Sequence, residues 1–363
     1  MSTHDKNNYI SIAKAIGITL MVIGHSGCPS TTFGRFIYLF HMPLFFFCSG
    51  YFFKEIADIL ALKSFVIRRF KGIYIPYIKW SILFLLLHNV FCQLNLYNDL
   101  CHIYPYNIRE FLTQFCKTIL MTDYEVMLRP FWFLKVLLYT SILVGAISYL
   151  TKRFFQKHLS TSFLLVIMVV LTLFSKLMNV HIPVLGDCSV ILLGGVFYYS
   201  GLLFRRYEKE LINKSSLLVI SFLITLTGSF YFQGIVDMRF TTASNLLFYC
   251  IFALSGIIFV FSLSKTIENK VNHPTKNVLY YLGSHTMPIL ALHLLSFRIV
   301  SLFKIWIYDL PIEKLSSHTM IPEYNHLFWL LYTVVGLSLP LLLDYLYGWA
   351  KVKCGGKDMQ KRK

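Results

Sequence analysis

Lys14 and His25 stand eleven residues apart inside "AKAIGITLMVIGHSG", a run whose other residues are apolar or small. At a rise of about 1.5 Å per residue that spacing is close to three helical turns, so both side chains leave one face, about 16 Å apart. They cannot touch. A cation and an imidazole so placed suit the two ends of one extended ligand. The amine would take a phosphate or amide oxygen, and the imidazole would move a proton. Histidine fits general-base work because its unperturbed pKa is about 6.5.

Two more histidines join it by depth. His25 lies about 24 Å above the inner start of its apolar run, and His293, in "LYYLGSHTMPILALH", about 22 Å above the start of its own. His41, in "FHMPLFFFCSGYFF", lies about 10 Å below the outer end of a descending run. All three share the outer half. A separate cluster, Arg68, Arg69 and Lys71 in "FVIRRFKGIYIPY", would attract anionic lipid or, equally, hold a nucleotide diphosphate by its guanidinium forks.

Other ionisable groups need a reason, since a charge at mid-span costs roughly 2.5–3.5 kcal/mol. Lys79 and Arg298 lie near helix ends, where a long side chain snorkels. Lys135 and Asp187 could pair across helices, and Asp344 belongs to an interface. His88, on a leucine-rich stretch, reads as a hydrogen-bonded packing residue.

The elements that must position these residues are helices in a membrane. The chain has 363 residues, 56% hydrophobic and 14% charged, against about 25% charged in soluble domains. Apolar runs of about 20 residues recur from end to end, predicting an all-α polytopic protein of about ten spans. These are 9–27, 33–53, 73–95, 131–150, 159–178, 184–204, 214–233, 244–264, 277–302 and 326–350. With a cytoplasmic N-terminus, 22 of the 34 Lys and Arg residues fall in the six inner segments, as the positive-inside rule requires. Both termini are then cytoplasmic. The net charge of +17 reflects topology, and no nucleic-acid partner is expected. "HSGC" approaches a lipoprotein cleavage box, but His25 stands where an aliphatic residue belongs, so the first helix is expected to be retained.

Residues 1–350 read as a single transmembrane domain and 351–363 as a basic cytoplasmic tail. "NIREFLTQFCKTILM" predicts an amphipathic helix on the outer face, and "KEIADILALKSFVIRRF" an interfacial helix inside. The eight cysteines form no CxxC pair, and no metal-ligand spacing is present; Cys92, Cys101 and Cys116 are near enough to the outer side to pair.

Taken in order, five of these segments resemble the acyltransferase 3 family of integral-membrane O-acyltransferases. "ISIAKAIGITLMVIGHSG" is similar to its first helix, where a basic residue precedes an essential histidine by the same spacing. "FHMPLFFFCSGYFF" resembles the aromatic second helix ending in Ser-Gly-Tyr, and "FVIRRFKGIYIPY" the arginine-rich stretch ending in proline. "RPFWFL" resembles a Trp-Phe-Leu helix entry, and "LYYLGSHTMPILALH" a late helix carrying Leu-Gly and then a histidine. The first two look closest to the fucose 4-O-acetylase-like branch. Ser11 stands where relatives commonly have Asp, Ala15 where glycine is usual, and Lys14 where many use arginine.

The resemblance implies transfer of an acyl group, acetyl in the simplest case, across the cell inner membrane. The donor would be cytoplasmic acetyl-CoA or another acyl-CoA, with no permanently bound cofactor and no metal. The acceptor would be a hydroxyl of a cell-surface glycan or lipid-linked saccharide. Lys14, Arg68 and Arg69 would hold the donor, whose phosphopantetheine arm is comparable in length to the Lys14–His25 spacing. His25 would be the catalytic base, or form a covalent acyl-histidine. His41, Trp132 and His293 would orient the reactants.

Two other classes stay open on the residues alone. Ten spans with buried cations also suit a transporter or flippase of a lipid-linked sugar or small solute, which predicts paired broken helices around a midplane site. Ser11 and Ala15 would suit a non-catalytic membrane scaffold.

Overall fold

The computed structural model describes residues 8–28, 30–212 and 215–360. The chain is helical almost throughout, with one two-stranded antiparallel ribbon, β1 (His181–Ile182) and β2 (Gly186–Asp187). Helices α1 (Asn8–His25) and α2 (Thr31–Tyr51) are followed by α3 (Ile59–Arg69), α4 (Ile75–Gln93), α5 (Ile108–Ile119) and α6 (Trp132–Phe155). Then come α7 (Thr161–Leu177), α8 (Cys188–Leu211), α9 (Ser215–Tyr231), α10 (Leu246–Lys270), α11 (His273–Ser284), α12 (Thr286–Tyr308) and α13 (Phe328–Gln360). Among the described residues, seven helical segments are long and apolar enough to cross a membrane; α7 and α9 are apolar but shorter.

The centre is α2, buried over most of its length between α1, α8 and α10. Glycine lets its backbone meet α8. A Cβ on Gly50 would lie 1.8 Å from the Tyr198 carbonyl oxygen, and one on Gly201 would lie 2.1 Å from that of Phe47. Small residues permit such contact where bilayer helices associate without a hydrophobic drive. At the same end Glu208 of α8 accepts hydrogen bonds from Tyr9 (2.7 Å) and Tyr51 (2.5 Å), tying α1 and α2 together.

Two irregularities shape the interior. Helix α3 runs into α4 through a π turn, Phe70–Tyr74, just before Pro76. The widened turn exposes Arg69 and Gly72 to the bundle interior, a common use of such bulges. The expected single span 277–302 is instead broken at His285, between α11 and α12. Pro288 has no N–H for the Ser284 carbonyl, so the helix cannot continue unbroken through that turn. Helix α11 packs on α1 so closely that a Cβ on Gly283 would sit 1.9 Å from the Ser11 carbonyl oxygen. The Leu-Gly of the late segment is thus a packing device.

The amphipathic segment forms α5, with a capping box in which Asn107 accepts from Glu110 N–H and Glu110 accepts from Asn107 N–H. Arg298 does not snorkel, contrary to expectation. It is buried at 3% exposure and donates to the carbonyls of Leu315 and Ser317, both at 2.7 Å. Lys304 does the same for Ile321 at 2.8 Å. These buried cations satisfy carbonyls of the 309–327 loop that would otherwise lack partners, and so pin the loop over the bundle end. Asp187 and Lys135 form no ion pair; Asp187 caps α8 through Ser189 N–H. The seven cysteines among the described residues are free thiols, Cys92, Cys101 and Cys116 included.

Candidate functional site

Two cavities flank the expected base. The first, about 290 Å³, opens near Lys14 and runs up between α1, α2, α6 and α12. Lys14, Arg69, Ser49 and Thr286 supply its polar groups, and no carboxylate among the described residues lines it. Further along the wall turns apolar, with Ile18, Met21, Phe45, Phe133 and Leu290. A cationic mouth leading to an apolar shaft fits a ligand with an anionic head and a long thin arm.

Arg69 is held in place. Its Nη2 donates to the Tyr198 hydroxyl at 2.9 Å, and its guanidinium lies 5.0 Å from the Phe65 ring centre. Arg68 points elsewhere: it is exposed and lines an adjoining cavity of about 630 Å³ with Lys54, Glu55 and Ser64. Of the three expected donor-binding residues, then, Lys14 and Arg69 share the shaft, and Arg68 stands beside its mouth.

The second cavity, about 250 Å³, is lined by His25, Arg129, Trp132, Arg239, His318 and Thr319 among others. Three helices serve both cavities. Met21 and His25 lie one turn apart on α1, Leu290 and Leu294 one turn apart on α12, and Phe133 and Trp132 are neighbours on α6. The shaft therefore ends about one turn below His25, roughly 6 Å along the helix.

At that junction His25 Nδ1 lies 2.8 Å from His293 Nε2, with the rings stacked at 5.1 Å and 25°. The partner's other nitrogen fixes the proton positions. His293 Nδ1 lies 3.0 Å and 3.2 Å from the carbonyls of Ile289 and Leu290, which only accept, so it carries a hydrogen. In the neutral ring its Nε2 is then an acceptor, and His25 Nδ1 must be the donor. His25 Nε2 is left with its lone pair and without a hydrogen-bond partner among the described residues. A half-buried histidine in a cleft, its proton position set by a buried second histidine, is built to take a proton.

His41 lines neither cavity. It is buried at 3% exposure and donates from Nδ1 to the Ile37 carbonyl at 3.0 Å. Its ring meets Tyr38 edge-on at 4.9 Å, and Tyr38 in turn packs on Gly24 beside His25. It supports the site from behind.

Three residues of the cleft had no forecast. Arg239 lies 4.5 Å over the Trp132 indole, and its Nε and Nη2 donate to Asp237 at 3.1 Å and 2.9 Å. Arg129 and His318 bring two more basic groups. Desolvation and the Arg129 and Arg298 charges lower the His318 pKa to about 4, so it is neutral near pH 7. Arg129 adjoins "PFWFL" and had that neighbour as a signal. Arg239 and His318 come from loops, where spacing carries none. His318 reaches the cleft because buried Arg298 grips the Leu315 and Ser317 carbonyls just before it in the chain and Lys304 grips that of Ile321 just after it.

Comparison with known proteins gives one match. A model for an acyltransferase domain, that of the acyltransferase 3 family, matches residues 7–345, nearly the whole chain. No curated protein and no solved structure matches.

Proposed function

The chain belongs to this acyltransferase family, and from that premise we propose that it moves an acetyl or similar acyl group from cytoplasmic acyl-CoA to a saccharide hydroxyl on the outer side of the inner membrane. About ten spans with both termini inside would set that direction, and the fucose 4-O-acetylase-like branch is the nearest functional model. The observation that carries this reading is the free His25 Nε2 where the cationic shaft meets the second cleft.

The donor's phosphates meet Lys14 and Arg69, with Arg68 beside the mouth, and its arm fills the apolar shaft toward His25. The acceptor hydroxyl sits in the cleft over Trp132. His25 Nε2 takes the hydroxyl proton as the oxygen attacks the thioester carbonyl carbon. His293 Nε2, accepting from His25 Nδ1–H, favours the imidazolium that forms. The tetrahedral intermediate collapses with cleavage of the carbon–sulfur bond, and His25 returns the proton to the departing thiolate. Atoms and charge balance, and the base is regenerated.

Mass analysis of surface glycans from cells with and without the chain tests this. A mass difference of one acyl group is expected. Identical glycans, with a lipid-linked saccharide or solute redistributed across the membrane, would favour the transporter class instead.

A further inference from the structure

The cleft beside His25 does not end at Arg239. The same guanidinium lines a third cavity of about 560 Å³, formed by the end of α7, the β1–β2 ribbon, the start of α8 and residues 239–243. Its surface is unlike that of the shaft. Asn179, Thr241 and Thr242 offer hydrogen-bonding groups, and Ser175, only 3% exposed, lines it with a buried Oγ that has no partner among the described residues. A buried hydroxyl left unpaired carries a desolvation cost that a ligand reaching it would recover.

Charge narrows the occupant. Lys176 lines this cavity with no ion pair or hydrogen bond among the described residues. Arg239 is fixed between Asp237 and Trp132, and among the described residues its Nη1 and Arg129 in the adjoining cleft have no partner. Among the described residues one carboxylate, Asp187, lines these two walls; its Oδ1 caps α8 and its charge also attracts Lys176, so with Asp237 paired to Arg239 the excess across the two walls is one cation. A polyhydroxylated ligand carrying a single negative charge satisfies both the polar lining and the one cation in excess.

We infer that this third cavity is a subsite for a second, anionic sugar unit of the acceptor, with Lys176 and Arg239 reading its carboxylate or phosphate and Ser175 a hydroxyl. The inference rests on the acyltransferase reading for the identity of the neighbouring cleft, but binding alone tests it. The acceptor is then at least a disaccharide, with one unit over Trp132 and the next beyond Arg239.

The test is calorimetric titration of the purified full chain with three probes. These are a disaccharide containing one glucuronate, its neutral uronamide, and a disaccharide bearing a glycerol phosphodiester. One of the anionic probes should bind at least tenfold more tightly than the uronamide, and which one does so identifies carboxylate or phosphate. Lys176→Gln should remove that advantage, Lys176→Arg should retain it, and the exposed-charge control Lys117→Gln should leave it intact. Equal binding of all three probes, no binding of any, or an advantage that survives in Lys176→Gln overturns the inference. Failure of the earlier reading shows separately, as absence of label transfer from radiolabelled acyl-CoA by a chain that still binds the anionic probe.

Discussion

Two histidines at the same end of this molecule meet a second polar group inside the bundle, yet only one is free to do chemistry. His88 of α4 spends both ring nitrogens: Nδ1 lies 2.9 Å from Glu125 and Nε2 3.0 Å from the Tyr104 carbonyl. Its ring is stacked on Tyr106 at 3.5 Å and 9°, and it is 1% exposed. His25 spends one nitrogen on His293 and keeps the other at a cleft. With a carbonyl on Nε2 and a carboxylate on Nδ1, His88 is a strut that fastens the approach to α6. The difference lies in the unspent nitrogen and the cleft it faces, not in residue type.

That contrast can be broken from either side. His25→Ala should lower acyl transfer about 10³–10⁴-fold, the upper range for a general base, while thermal unfolding stays near wild type. His88→Ala should do the reverse. It strands the Glu125 carboxylate, which is 5% exposed, and should destabilise by about 3–5 kcal/mol, with turnover per folded molecule within about twofold of wild type. A melting curve and an active-site titration separate the two. Equal activity losses in both variants would erase the distinction.

His293→Phe keeps the packing but removes the acceptor for His25 Nδ1–H. Turnover should fall about 10²-fold at unchanged donor KM, with partial recovery in His293→Gln, whose amide oxygen can accept. Lys14→Met should act on binding instead, raising donor KM about tenfold with little change in acceptor KM, as expected for loss of one charge-assisted contact. The smallest effect belongs to His318. Its folded pKa of about 4 lies below the ordinary value of about 6.5, so the unfolded chain binds more protons between them. Stability should therefore fall as pH falls from 6.5 through 4, and His318→Gln should flatten that slope in denaturation curves.

The part of the site carried by one helix was legible before any fold was known. Lys14 and His25 stand on one face of α1, and helical geometry alone gives their separation. His293 was legible only as a level in the membrane, because no sequence periodicity says which helices become neighbours. Arg239 and His318 were not legible. Both are placed by loops whose course depends on the Asp237 pairing, on Trp132 and on Arg298, contacts made through the fold that residue spacing does not reveal. Arg298 itself was misread, since a cation near a helix end looks the same whether it snorkels to water or grips the Leu315 and Ser317 carbonyls. Pro288 did mark the break at His285, three residues ahead of it, and Gly283, Ser284 and Thr286 interrupt the apolar run there, yet the expected span 277–302 runs through them.

Inside-out membrane vesicles containing the full chain, supplied with radiolabelled acetyl-CoA, test the central claim most directly. Wild-type vesicles should carry label on luminal saccharide, and vesicles with equal amounts of inserted His25→Ala should carry almost none. Label transfer by His25→Ala at the wild-type rate would contradict the assignment of His25 as the base.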